Sequence, residues 1–64
     1  MCESSVFVRR RGSDEDELVS EDVARVVPDG DEIRVMTLLG DETRVAAEIV
    51  EIDLMAHRIV LREK

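Results

Sequence analysis

Residues 31–63, "DEIRVMTLLGDETRVAAEIVEIDLMAHRIVLRE", decide the fold. Ile33 and Val35 alternate with Arg34 and Met36, the period of two that a half-buried strand requires. Leu39, Gly40, Asp41 and Glu42 then read as a turn. Val45, Ala47 and Ile49 share one face, but further on the apolar phase moves to Val50, Ile52 and Leu54, with Glu51 and Asp53 outward. A change of phase inside one strand predicts a β-bulge around Ile49 and Val50. "DLMAHR" reads as the last turn, and Ile59 and Leu61 as the inward set of a closing strand, between outward Arg58, Val60 and Arg62.

Working outward, Pro28, Asp29, Gly30 and Asp31 form a tight turn. Before it, "ELVSEDVARVVPDG" is ambiguous. Val19, Val23 and Val26 or Val27 match helical spacing, with Ser20 as a candidate N-cap, yet the apolar positions are mostly β-branched. The expectation is a strand over residues 23–27, preceded by a short piece near Leu18, with one helical turn over residues 20–24 as the alternative. "SSVFVRR" reads as a strand over residues 3–9, with Val6 and Val8 on one face and Ser5 and Phe7 on the other. It runs into "RRRGSDEDE", a hairpin tip with Arg9 to Arg11 facing Asp14 to Glu17.

Five or six short strands in 64 residues predict an all-β chain. The expected architecture is a small SH3-like barrel of strongly bent antiparallel strands, forming a single domain over residues 1–64. A five-stranded OB-type barrel is the longer-chain alternative. The core must be aliphatic, because Phe7 is the sole aromatic residue. A chain this short is marginal alone and usually gains stability from a disulfide, a metal or a partner subunit. One cysteine excludes an internal disulfide.

Composition narrows the function. Sixteen acids against nine bases give a net charge of −7, which opposes binding to phosphate backbones. The arginine run has four acids immediately beside it, and a solvated tip explains it better than a nucleic-acid patch. A lone thiol fits a reducing, cytoplasmic setting, and no apolar run is long enough for a membrane helix. Catalytic patterns are absent: no phosphate loop, no metal-binding Cys-x-x-Cys, and a single histidine, His57, with no thiol or acid at triad-like spacing. His57 reads as a turn residue bonding locally, with no reason to reach the chain terminus. Asp29 and Asp31 resemble a fragment of a calcium loop, but the closing Glu is missing.

Attention falls on "MC" at the start. The Cys2 thiolate next to a terminal amine makes a nitrogen–sulfur chelate. If Met1 is retained, its amine joins the amide nitrogen and thiolate of Cys2. If Met1 is removed, the amine and thiolate of Cys2 chelate together. Such donors suit nickel(II) or copper(II), and binding requires loss of protons. The competing reading is a small apolar side chain used for packing.

The order of "MC", "SSVFV", "VSEDVARVV" and "DEIRVMTLLGDETRVAAEIVEIDLMAHRIVL" resembles the CooT family of small nickel-binding proteins. The matching positions are Met1, Cys2, Val6, Val23, Ile33, Leu39, Gly40, Ile52, Asp53, His57, Ile59 and Leu61. The resemblance implies an SH3-like barrel, a homodimer, and one Ni(II) held through the Cys2 of both subunits. It also implies a non-enzymatic metallochaperone or metal store, with carbon monoxide dehydrogenase or its maturation machinery as partner. Proteins of this kind have also been called RNA-binding. The acidic balance and the lack of stacking aromatics argue against that alternative.

Overall fold

A computed structural model describes residues 3–64. Its strands are β1 (Ser4–Arg9), β2 (Asp16–Asp29), β3 (Glu32–Thr37), β4 (Glu42–Val45), β5 (Ala47–Asp53) and β6 (Arg58–Glu63). They form one sheet in the order β4-β3-β2-β1-β6-β5, and no helix occurs among the described residues. The all-β expectation with six strands holds.

Two details of the expected barrel differ. The β1–β6 ladder is parallel, pairing Ser5 with Arg58 and Val8 with Leu61. No hairpin joins these strands, so no turn imposes the antiparallel direction. The sheet also does not close into a barrel. β4 and β5 are its two edges, and the chain passes from one to the other through Ala46 alone. That short step curls the sheet until its edges are neighbours, without a ladder across the seam.

β2 runs unbroken for 14 residues, where a short piece and a separate strand were expected. Its first half pairs with β1 and its second with β3, and Val23 takes part in both, opposite Ser4 and Thr37. The register shifts between Ser4 and Val6, between Val6 and Phe7, and again between Val23 and Arg25. Each shift inserts one residue and moves the following side chains to the other face. Val23 is buried, and Val19 and Val26 pack against the same cluster. Their helix-like spacing is therefore the signature of bulges in a strand, and the helical alternative is excluded. Asp22, at the bend, has φ 54°, a left-handed conformation that Asp tolerates better than most residues. At the β2–β3 hairpin, Gly30 (φ 63°) opens a two-residue loop between paired Asp29 and Glu32.

The core consists of Val6, Val8, Val23, Ile33, Val35, Ala47 and Leu61, with Val45, Ile49 and Ile59 against it. The predicted bulge in β5 is present: Ile49 faces Leu61, Glu51 faces Val60, and Val50 is the extra residue. The apolar set beyond it is not inward, however. Val50, Ile52 and Leu54 are 39%, 56% and 80% exposed. Past the bulge β5 is a sheet edge with only β6 beside it, and Leu54 already lies in the turn. Val60, expected outward, is 1% exposed. It sits across the ladder from Phe7, framed by Arg58 and Arg62 on its own strand, whose long side chains cover apolar surface.

Candidate functional site

One end of the sheet gathers the start of β1, the bend of β2 and two turns. The amide of Ser5 donates to the carbonyl of His57 at 2.9 Å, setting the β5–β6 turn against the start of β1. The amide of Leu38 donates to the carbonyl of Asp22, also at 2.9 Å, tying the β3–β4 turn to the bend of β2. Both turns are internally braced. Asp53 Oδ1 accepts the amides of Met55 (3.1 Å) and Ala56 (2.9 Å). Thr37 accepts from Gly40 N at 3.0 Å through its carbonyl and from Asp41 N at 3.2 Å through Oγ1.

Each turn presents an aliphatic pair to solvent. Leu38 is half exposed and Leu39 is 92% exposed; Leu54 is largely exposed and Met55 is 93% exposed. Water around such a gathering of large apolar side chains favours a covering surface. An open groove of about 300 Å³ runs beside the β3–β4 turn, bounded by Glu21, Asp22, Thr37, Leu38, Leu39 and Asp41.

The candidate donors Met1 and Cys2 lie outside the described residues. Among the described residues no group of three or more His, Cys, Asp or Glu side chains is placed to hold a metal ion. Asp29 and Asp31 are engaged with Arg44 and Lys64, both at 3.4 Å. His57 is in the left-handed region (φ 56°) and exposed. Its turn comes to the start of β1 after all. The parallel pairing does this, and sequence periodicity carries no sign of it. The exposed Leu38–Leu39 and Leu54–Met55 pairs had a visible signal, aliphatic doublets inside turns next to Gly40 and Asp53.

Two of the three arginines in the run, Arg9 and Arg10, are paired with carboxylates, and the Arg11 amide donates to Glu63 Oε1 at 3.0 Å. Arg9 Nε meets Asp16 at 3.0 Å, and Arg10 lies 3.7 Å from Glu17 and 3.1 Å from Glu63. Asp16 also takes Arg58 at 3.1 Å, and the Arg58 guanidinium lies 4.7 Å over the Phe7 ring. The hydrogen bond from Arg9 and the charges of Arg9 and Arg58 hold the Asp16 carboxyl below its ordinary range, against a smaller upward effect of desolvation. One face of Phe7 is thus covered by a cation of its own chain. A larger groove of about 490 Å³ lies near the β4–β5 seam, lined in part by Arg10 and Arg44. Arg44 is held by Glu42 (3.1 Å), Asp29 (3.4 Å) and Glu32 (3.5 Å), so the groove offers no spare positive charge to an anion.

The model of the family described as CO dehydrogenase accessory protein CooT matches residues 1–62. The crystal structure described as that of CooT from Carboxydothermus hydrogenoformans superimposes with a TM-score of 0.85 at 28% identity, covering 98% of each chain. A protein of Archaeoglobus fulgidus, described as uncharacterised, is 42% identical over 41 residues, 64% of this chain and 91% of that one.

Proposed function

The chain belongs to the CooT family of CO dehydrogenase accessory proteins, and from that premise we propose that it is a non-enzymatic, cytoplasmic carrier or store of Ni(II) serving CO dehydrogenase maturation. Nickel is its cargo. The donors are the Cys2 thiolate and a terminal nitrogen, belonging to Met1 or, after its removal, to Cys2 itself. Nitrogen and thiolate together suit Ni(II), and both must lose protons to bind it, so loading weakens as pH falls. Two chains share one ion, each giving its Cys2.

The observation that carries this reading is the setting of β1. Ser4 and Ser5 are fixed between β2 and β6 at the end of the sheet where Leu54 and Met55 stand exposed. A second copy meeting that end covers these side chains and brings two chain starts together. Asp53 Oδ1 holds the Met55 and Ala56 amides, so the turn presents Leu54 and Met55 in a braced loop.

Titration of untagged protein with nickel, followed by thiolate-to-metal charge-transfer absorption, tests the reading. Saturation is expected at one ion for each pair of chains, and Cys2→Ser is expected to remove the absorption. RNA binding has weaker support, because the chain carries −7 and Arg9, Arg10 and Arg58 are held by carboxylates.

A further inference from the structure

The β3–β4 side of the same end carries three carboxylates around its exposed apolar pair. Glu21, Asp22 and Asp41 are exposed around Leu38 and Leu39, and among the described residues none of the three makes an ion pair. Elsewhere the chain matches many of its acids with arginines, as in Asp16 with Arg9, Glu42 with Arg34 and Glu48 with Arg62. Unmatched carboxylates around an apolar groove repel a second copy of a chain carrying −7, and attract cations. The groove is also held in shape: Leu38 is bonded to Asp22, and Thr37 to Gly40 and Asp41, so little ordering is required on contact.

We propose that the Leu38–Leu39 groove docks a protein surface with an apolar centre and a lysine- or arginine-rich rim, on the protein that receives the cargo. The inference rests on the accessory reading above, and it names where the recipient sits. The two aliphatic side chains supply the buried contact, and Glu21, Asp22 and Asp41 steer and orient it. Docking here leaves Leu54 and Met55 to the second copy, so a loaded dimer offers one such groove per chain.

Nickel-free CO dehydrogenase, immobilised, is the probe, and the untagged dimer is passed over it at low and high salt. Binding that weakens with salt is expected, with a loss of about tenfold or more for Leu39→Ser and for the double change Glu21→Lys/Asp41→Lys. The double change Asp14→Lys/Glu15→Lys, exposed and away from the groove, makes the same change of net charge and is expected to bind nearly as the parent does. Equal binding by all variants, an equal loss with Asp14→Lys/Glu15→Lys, or no binding by the parent chain overturns the proposal. So does a Leu39→Ser protein whose oligomeric mass falls, because the groove then belongs to the second copy. Nickel titration of the same variants keeps the two readings apart: unchanged loading with unchanged docking sinks the groove and leaves the nickel carrier standing.

Discussion

The amide of Ser5 and the carbonyl of His57 lie 2.9 Å apart, and this bond fixes the last turn of the chain against the start of its first strand. His57 makes the bond from φ 56°, a conformation that costs a non-glycine residue about 1–2 kcal/mol. Glycine relieves that cost and gives part of it back as unfolded-state freedom. Urea denaturation should therefore show His57→Gly unchanged or stabilised by up to about 1 kcal/mol, and His57→Val destabilised by about 1 kcal/mol or more. Loss of stability in the glycine variant would argue that the turn has another conformation.

Acid stability should report on Asp16. Its carboxyl is held down by the hydrogen bond from Arg9 and the charges of Arg9 and Arg58. A group depressed on folding stabilises fully above its unfolded value, about 4, and loses that contribution as pH falls through the lower folded value. Glu42, Glu48 and Glu63 are depressed likewise, by Arg34, by Arg62, and by the Arg11 amide with the Arg10 side chain. Thermal melts should stay level from neutral pH down to about 5 and fall steeply below 4. Asp16→Asn should melt lower near neutrality and show a shallower acid decline. An identical pH profile for the variant would show that the Arg9–Asp16–Arg58 cluster is not formed in solution.

Burial sets the cost of core changes. Leu61→Ala should cost about 2–5 kcal/mol, a large share of what so small a domain has, as measured by urea midpoints. Ile52→Ser should fall within about 0.5 kcal/mol of the parent chain, since Ile52 stands mostly in water. Val60→Asp should abolish folding, although alternation alone puts Val60 outside. If Ile52→Ser unfolds the chain and Val60→Asp does not, the faces of β6 and β5 are assigned the wrong way round.

Leu54→Ser/Met55→Ser tests how two copies meet. Both side chains are exposed and outside the core, so the fold should survive. Sedimentation should show a shift from dimer toward monomer, with weaker nickel loading. A variant that remains fully dimeric would place the contact elsewhere.

What the sequence disclosed follows from what each signal measures. Period-two runs located β1, β3 and β6, and the phase slip at Ile49 and Val50 disclosed a real bulge, because side-chain direction along one strand is a local property. The three register shifts of β2 blurred the same signal, since each one resets the phase and the sum imitates a helix; the strand over residues 23–27 was legible, and its unbroken run from Asp16 was not. Direction and neighbourhood were hidden. Nothing local tells β1 to run parallel to β6, so neither the burial of Val60 nor the approach of His57 to Ser5 could be read. The edge position of β5 was hidden for the same reason, and Ile52 and Leu54 were expected inside. Met1 and Cys2 are candidate donors on donor chemistry and on the family resemblance alone, and they lie outside the described residues.

Native mass spectrometry of untagged protein, with and without nickel and with Cys2→Ser alongside, bears most directly on nickel carriage. The parent chain should appear as a dimer that gains the mass of one nickel ion, and the intact chain mass will show whether Met1 is present. Cys2→Ser should remain a dimer and gain none. A serine variant that takes up nickel as the parent does, or a parent chain that takes up none, would contradict the proposed role.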